Sequence, residues 1–334
     1  MKIDASLGAD LETAPDVAAG IEREGYGGVW VGENAYDPFL LCLRAASGTS
    51  TASIGTSVAI AFARTPLTLA APAFDLARFT KGRFILGLGS QVKAHIERRY
   101  SMPWSHPAPR MRELILAMRA IWAKWQDGTP LDFRGEFYTH TLMTPHFSQK
   151  PHEYGPPPVF LAGVGQRMTE VAGEVADGFM PHPFTTVRYL TEVTIPALRR
   201  GRAKAGKDDL DGFTICGQSM IAIGRTEEEL AKAVRGTKRQ IAFYASTPAY
   251  RPVLDLHGFG DIQPELTKLS KEDRWRDMTG LITDEILHEF AVVGSPAEIG
   301  KGLRAKLGDV FDRTILYTPY TLDREILTPV AGGR

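Results

Sequence analysis

Short apolar runs and helix-period stretches alternate along the first ninety residues. "KIDASLG", "GGVWVG", "ASIGTSVAIAF" and "RFILGLG" read as strands, with amphipathic stretches near 14–25, 38–48 and 66–79 between them. Strands spaced by helices in this way predict parallel pairing through crossover connections. The strongest helical signal is "MRELILAMRAIWAKW", where Met111, Leu114, Ile115, Met118, Ile121, Trp122 and Trp125 recur on one face at a 3.6-residue period.

The pattern lapses over 128–157, which is rich in proline, histidine and glycine, with a hairpin predicted around Arg134–Gly135 in "LDFRGEFYTH". Phe133, Phe137, Tyr138 and Phe147 persist through it, so it reads as an insertion over one face rather than a linker. Alternation resumes with "PPVFLAG", a helix near 166–176, "DGFMPH", a helix near 185–205, "FTICGQSMIAIG" and "RTEEELAKAVRGTKRQIAFYA". Thr226 with Glu229, and Ser295 with Pro296 and Glu298, have the spacing of capping boxes at helix starts. Residues 246–280 read as a second irregular insertion, and "FDRTILYTP" as the last strand. Strands near 2, 28, 54, 83, 158, 178, 213 and 313, each followed by helix, predict an α/β fold, a (β/α)8 TIM barrel with two insertions. No linker marks a second domain within 1–334.

One strand breaks its own pattern. In "ASIGTSVAIAFARTP" the middle, Gly55-Thr56-Ser57, is small and polar where a core strand calls for bulk.

Composition narrows the partner. Of 334 residues 43% are hydrophobic and 23% charged, enough for a large core, and 39 Lys plus Arg balance 39 Asp plus Glu. That balance leaves no net field to attract nucleic acid or an anionic membrane, so the expected partner is a small molecule. Cys42 and Cys216 sit in apolar segments without CxxC spacing, which argues against a disulfide framework or a structural zinc. The N-terminus lacks a basic region followed by a long apolar run, so a cytoplasmic protein is expected.

In a barrel of this kind the residues just past each strand's C-terminal end line the active site. Glu33 and Asn34 follow the second strand and could orient a cofactor or do acid/base work; they also fit a solvated loop before a helix start at Asp37–Pro38. Ser90, Gln91 and His95 follow the fourth strand. The first two suit hydrogen bonds to a bound ring and His95 a proton donor, or all three a capped helix start. After the fifth strand Gly163 and Gly165 allow close backbone approach, and the amides opening the next helix favour a phosphate; a tight turn needing positive φ explains the same glycines. His182 holds the equivalent place after the sixth strand. His140, His146 and His152 lack the i, i+4 spacing of a zinc site and are assigned surface or lid roles. No metal site, GxSxG or Walker A motif is found.

Taken together, "IGTSVAIAFARTP", "TKGRFILGLGSQ", "RMRELILAMRAIW", "PPVFLAGVGQRMTEVAGEVADGF" and "VVGSPAEIGKGL" resemble the luciferase-like monooxygenase superfamily, and within it the branch dependent on the deazaflavin coenzyme F420. The resemblance implies a cofactor at the barrel mouth, with its phosphate on the glycine turn of Ala162, Gly163, Val164, Gly165 and Gln166 and its ring against a third-strand bulge. It also implies a non-prolyl cis peptide at Ser57–Val58, and contacts from Ser90, Gln91 and His182. The sugar-phosphate dehydrogenases of that branch carry Asp-His after the second strand and a catalytic glutamate after "GTG". This chain has Glu33-Asn34 and Val92 there, so those roles do not carry over. The expected reaction is hydride transfer between F420 and an alcohol, carbonyl or activated alkene. Glu33 and Asn34 would orient the ring, His95 would move the proton, and the 128–157 insertion would partly close the pocket. A homo-oligomer is expected. The alternatives are an FMN-dependent monooxygenase on the same barrel, a non-redox barrel enzyme, or an F420 carrier without turnover.

Overall fold

The computed structural model describes residues 1–332. Eight parallel strands close into a barrel: β1 (Lys2–Ser6), β2 (Gly28–Val31), β3 (Ser53–Thr56), β4 (Phe84–Gly89), β5 (Val159–Gly163), β6 (Gly178–Pro181), β7 (Thr214–Ile223) and β8 (Arg313–Tyr317). Each pairs with the next, and β8 returns to β1 in the register Lys2 to Arg313. Every residue of β2 and β4 is buried, as expected where a strand has the barrel interior on one side and helices on the other. Trp30, Ile85, Phe160, Met180, Cys216 and Ile315, from six strands, pack into one layer that fills the interior. On the same inner side Arg313 forms a buried ion pair with Asp4 at 2.8 Å, and the Trp30 indole donates to the same carboxylate at 2.8 Å.

The interruption in the third strand has a packing cause. A Cβ on Gly55 would lie 2.5 Å from the Trp30 ring, so only glycine leaves room for that side chain. Thr56 spends its hydroxyl on the Gly87 carbonyl at 2.6 Å, and the Ser57–Val58 peptide is cis. The chain then rejoins the sheet as Ala59–Ile60, opposite Leu88 and Gly89 of β4.

The outer layer is formed by α1 (Ala14–Arg23), α2 (Pro38–Ser47), α3 (Pro66–Phe79), α4 (Pro107–Asp127), α5 (Gln166–Val175) and α6 (Ile195–Lys204), with α7 (Glu227–Ala245) and α8 (Pro296–Leu307) after β7. The predicted stripe of α4 is fully inward, from Met111 to Trp125. At α8 the Glu298 carboxylate accepts from the Ser295 amide at 2.8 Å, closing a capping box. At α7 only half of one forms: Thr226 accepts from the Glu229 amide, while the Glu229 carboxylate is taken by the Arg225 amide at 2.7 Å. Among the described residues no helix is long and apolar enough to cross a membrane.

Both insertions differ from expectation. Residues 128–157 lie along the outside of α3 and α4 and do not close the pocket. A two-residue ladder pairs Phe133–Arg134 with Thr139–His140, and the Glu113 carboxylate of α4 accepts the amides of Glu136, Phe137 and Tyr138 at 2.9, 2.7 and 2.6 Å. The segment then passes Ala71, whose carbonyl accepts from Gln149, and sets His152 against Phe74 at 4.2 Å. His152 is therefore a packing residue, not a surface or lid one, and Phe147 is 72% exposed.

Residues 246–280 are not irregular. They fold into helices Arg251–Leu256, Gln263–Lys271 and Trp275–Gly280, too short to show an amphipathic period, and Asp284–Phe290 follows. With α7 they enclose a separate hydrophobic cluster around Leu254, Leu266, Leu269, Met278 and Phe290. The ten-residue β7 makes this possible: it pairs with β6 at Thr214–Ile215, and farther along, at Met220–Ile223, with the added strand Ala291–Gly294.

Candidate active site at the barrel mouth

Three groups of side chains meet at the C-terminal ends of the strands. The first is the floor. Val58 and Ala162 both pack on the interior layer, and Val58 leans over β4 so closely that a Cβ on Gly89 would sit 2.5 Å from its methyl. Ser57 accepts a hydrogen bond from Gln218 Nε2 at 3.1 Å, across the barrel from β7. The sequence reading missed Gln218. Its signal was position: it stands two residues after the inward Cys216 and therefore on the same face of the strand.

The second group is a polar clamp on the β2–β4 side. Glu33 Oε2 accepts from the Ile60 amide and from Arg64 Nη1, both at 2.7 Å, and Oε1 accepts from the Tyr100 hydroxyl at 3.1 Å. Arg64 also pairs with Asp37, the N-cap of α2, at 3.0 Å. Burial, then the Glu33 charge and hydrogen bond, push the Tyr100 phenol up. These partners engage both oxygens of Glu33, which was expected to orient the cofactor ring together with Asn34; in the structure its carboxylate ties the loops after β2, β3 and β4 together. Asn34 is exposed, with its amide 3.2 Å from the Cβ position of Gly32 and the Ser57 carbonyl 3.4 Å from the same point. That places Asn34 beside the bulge.

The residues after β4 spread out. Ser90 donates to the Gln91 carbonyl, and Gln91, at φ +59°, folds its own amide oxygen back onto the Val92 amide. Its carbonyl group is thus used as a local cap. His95 is exposed on the short helix Lys93–Arg98, and among the described residues none bonds to its ring.

The third group surrounds a cleft of about 590 Å³, which includes space open to solvent. Gly163, Val164, Gly165 and Gln166 form one end, and Gly165, at φ +80°, precedes α5 with no side chain to cap it. The other end carries His182, Phe184, Thr185 and Tyr250. His182 stacks on Tyr250 with centroids 4.6 Å apart and meets Tyr244 edge-on at 4.7 Å. Its Nδ1 accepts from the Phe184 amide at 3.1 Å, and burial pulls its pKa down to about 4, so the ring is neutral near pH 7. Tyr244 in turn shares a hydrogen bond with Tyr317, the last residue of β8, at 3.1 Å. None of these tyrosines was read from the sequence, because two of them come from α7 and the second insertion.

Known proteins match this chain along most of its length. Uncharacterized protein Rv1360 of Mycobacterium tuberculosis H37Rv is 52% identical over 315 residues, covering 94% of this chain and 92% of its own. The 5,10-methylenetetrahydromethanopterin reductase of Methanolobus tindarius is 25% identical over 302 residues, covering 87% and 84%. Among solved structures, the coenzyme F420 dependent tetrahydromethanopterin reductase of Methanopyrus kandleri shares the fold with a TM-score of 0.78 at 20% identity, covering 99% of this chain and 96% of that one. The family model described as luciferase-like monooxygenase matches residues 2–313, and the chain belongs to that family.

Proposed function

We propose that this protein is an F420-dependent oxidoreductase that transfers a hydride between the deazaflavin and a small organic carbonyl, alcohol or activated alkene. The observation that carries the reading is the cleft that opens on the uncapped glycine turn Gly163–Gln166 at the mouth of the barrel. The residues fit a phosphate-bearing cofactor. The amides opening the ten-residue α5 have no side-chain cap, Gly165 supplies the positive φ that turns the backbone outward, and Arg167 is exposed beside it. The choice of cofactor is supported by the F420 dependent reductase of Methanopyrus kandleri that shares this fold.

Bound F420 supplies a two-electron hydride donor or acceptor. The chain's own part is positioning. Gly163–Gln166 would hold the phosphate, and Val58 with Ala162 would form an apolar floor under the ring. Gln218 fixes the Ser57 hydroxyl, the exposed Asn34 beside the bulge would be available to hydrogen-bond the ring, and Glu33 keeps the bulge and its flanking loops in register. His95, exposed and unpartnered, remains the candidate for exchanging the proton with solvent.

Titration of the purified protein with F420 and with FMN tests this. F420 is expected to bind at least about tenfold more tightly, a difference of about 1.4 kcal/mol. Tight FMN binding without F420 binding would refute the reading. Gly165→Val, which forces a β-branched residue to φ +80°, is expected to weaken F420 binding most among turn variants.

A further inference from the structure

The chain between β4 and α4 does not run straight to its helix. It turns at Gln91, forms the short helix Lys93–Arg98 and turns again at Ser101, and both turning residues hold left-handed backbone, at φ +59° and +55°. That conformation is unfavourable for a residue with a Cβ, so the two turns stay as they are only while their surroundings hold them. Little does. From Gln91 to Arg99 only Ile96 is buried, and every other side chain is exposed.

Two long-range ties supply the rest, and both go to the loop after β2. The Tyr100 hydroxyl donates to Glu33 Oε1 at 3.1 Å, and Arg99 Nη2 donates to the Asn34 carbonyl at 2.9 Å. The Arg99 guanidinium lies 5.0 Å from the centre of the Tyr100 ring, so each tie braces the other. In the barrel order β3 stands between β2 and β4. A segment that leaves β4 and is fastened to the loop after β2 therefore crosses the end of β3, where the bulge at Ser57–Val58 lies. Glu33 joins the two, because its other oxygen accepts the Ile60 amide two residues past Val58. Once unfastened, the segment cannot keep its shape: a helix of six residues is far shorter than one that persists alone in water, so release from the rim dissolves its hydrogen bonds together.

We propose that residues 91–101 form a strap across the end of β3 that opens by local unfolding between Gln91 and Ser101, and that Tyr100 is the positioning residue whose bond to Glu33 sets how often it opens. Opening carries His95 away from the mouth and uncovers the bulge, and closing returns His95 to its place. The use of this opening as the entry for the cofactor ring rests on the hydride-transfer reading, whereas the opening itself does not.

Hydrogen exchange on the full-length protein without added cofactor tests the opening. The amides of Ile96, Arg99, Tyr100 and Met102, bonded to carbonyls within the segment, are expected to exchange through one shared event, at least about a hundredfold faster than those of β4. Tyr100→Phe, which removes only the hydroxyl, should speed all four about tenfold and leave β4 unchanged. Tyr26→Phe removes a hydroxyl bonded to the Leu327 carbonyl just before β2, at the other end of the barrel, and should leave the strap at wild-type rates. Trypsin, whose sites include Lys93, Arg98 and Arg99, should cut Tyr100→Phe there about tenfold faster than the wild type. Stopped-flow binding of F420 reads the consequence. Tyr100→Phe should raise the association and dissociation rates together, whereas loss of a simple contact raises dissociation alone. Strap amides that exchange only along with β4, at four unrelated rates, or indifferently to Tyr100→Phe would overturn the strap. Faster exchange with an unchanged F420 association rate would overturn its role as the entry. No F420 binding at all would remove the cofactor reading and leave the exchange result to decide the strap.

Discussion

The two insertions look alike in the sequence, each about thirty residues of broken pattern with scattered aromatic residues, yet they end in opposite places. Residues 128–157 leave the C-terminus of α4 and lead into β5, so they connect a helix to the following strand. Residues 246–280 lie between β7 and α8, the helix that returns the chain to β8. In a (β/α)8 barrel the strand-to-helix side is the mouth, and the helix-to-strand side is not. The first insertion accordingly binds to the outer helices, and the second brings Tyr250 against His182. What decides whether an insertion reaches a barrel's active site is the connection it occupies, more than its aromatic content.

That contrast can be broken by substitutions in each segment. Leu266→Ala, at a fully buried position in the second insertion's own cluster, is expected to cost about 3 kcal/mol, read from urea midpoints. Glu113→Ala releases three amides of the first insertion and is expected to cost about 2 kcal/mol by thermal or urea unfolding, with F420 affinity unchanged. Loss of ligand affinity in Glu113→Ala would show that the two regions are coupled.

Acidification should separate further contributions. The folded pKa of His182, about 4, lies below the ordinary histidine value, so on acidification the unfolded chain takes up the proton first and stability falls from about pH 6.5 towards 4. His182→Phe should remove part of that decline, read from urea midpoints across the range. At Glu22 burial works to raise the carboxyl, but the amides of Ala52, Thr51 and Ser50 together outweigh it and bring it to about 2. Its contribution is present above the ordinary carboxylate range and is lost as the pH falls from there towards 2, below the His182 window. The smallest effect is expected at Phe147→Ala: the ring is 72% exposed, and stability and ligand affinity should stay within about 0.5 kcal/mol of the wild type.

Much of the barrel was legible because its signals are local. Eight apolar runs at crossover spacing, the α4 stripe and the helix starts at Ser295 and Pro296 each express a period or a cap within a few residues. The glycine turn was legible for the same reason, and so was the odd composition at Gly55-Thr56-Ser57. Its cause was not: that Gly55 yields to Trp30, and that Ser57 meets Gln218 from the far side of the barrel, are contacts between strands 25 and 161 residues apart. Glu33 shows the limit most plainly. Its place after β2 marks it as a site residue, but whether its carboxylate is free depends on Ile60, Arg64 and Tyr100 arriving from two other loops.

The sequence by itself determined the periodicity, the strand count, the turn chemistry and the family. Those depend on intervals of two to four residues and on the φ that a glycine permits. Only the tertiary structure decided which polar groups are already satisfied, which insertion faces the mouth, and which rings enclose His182. Those outcomes depend on closing the barrel, which brings together side chains that no local pattern relates.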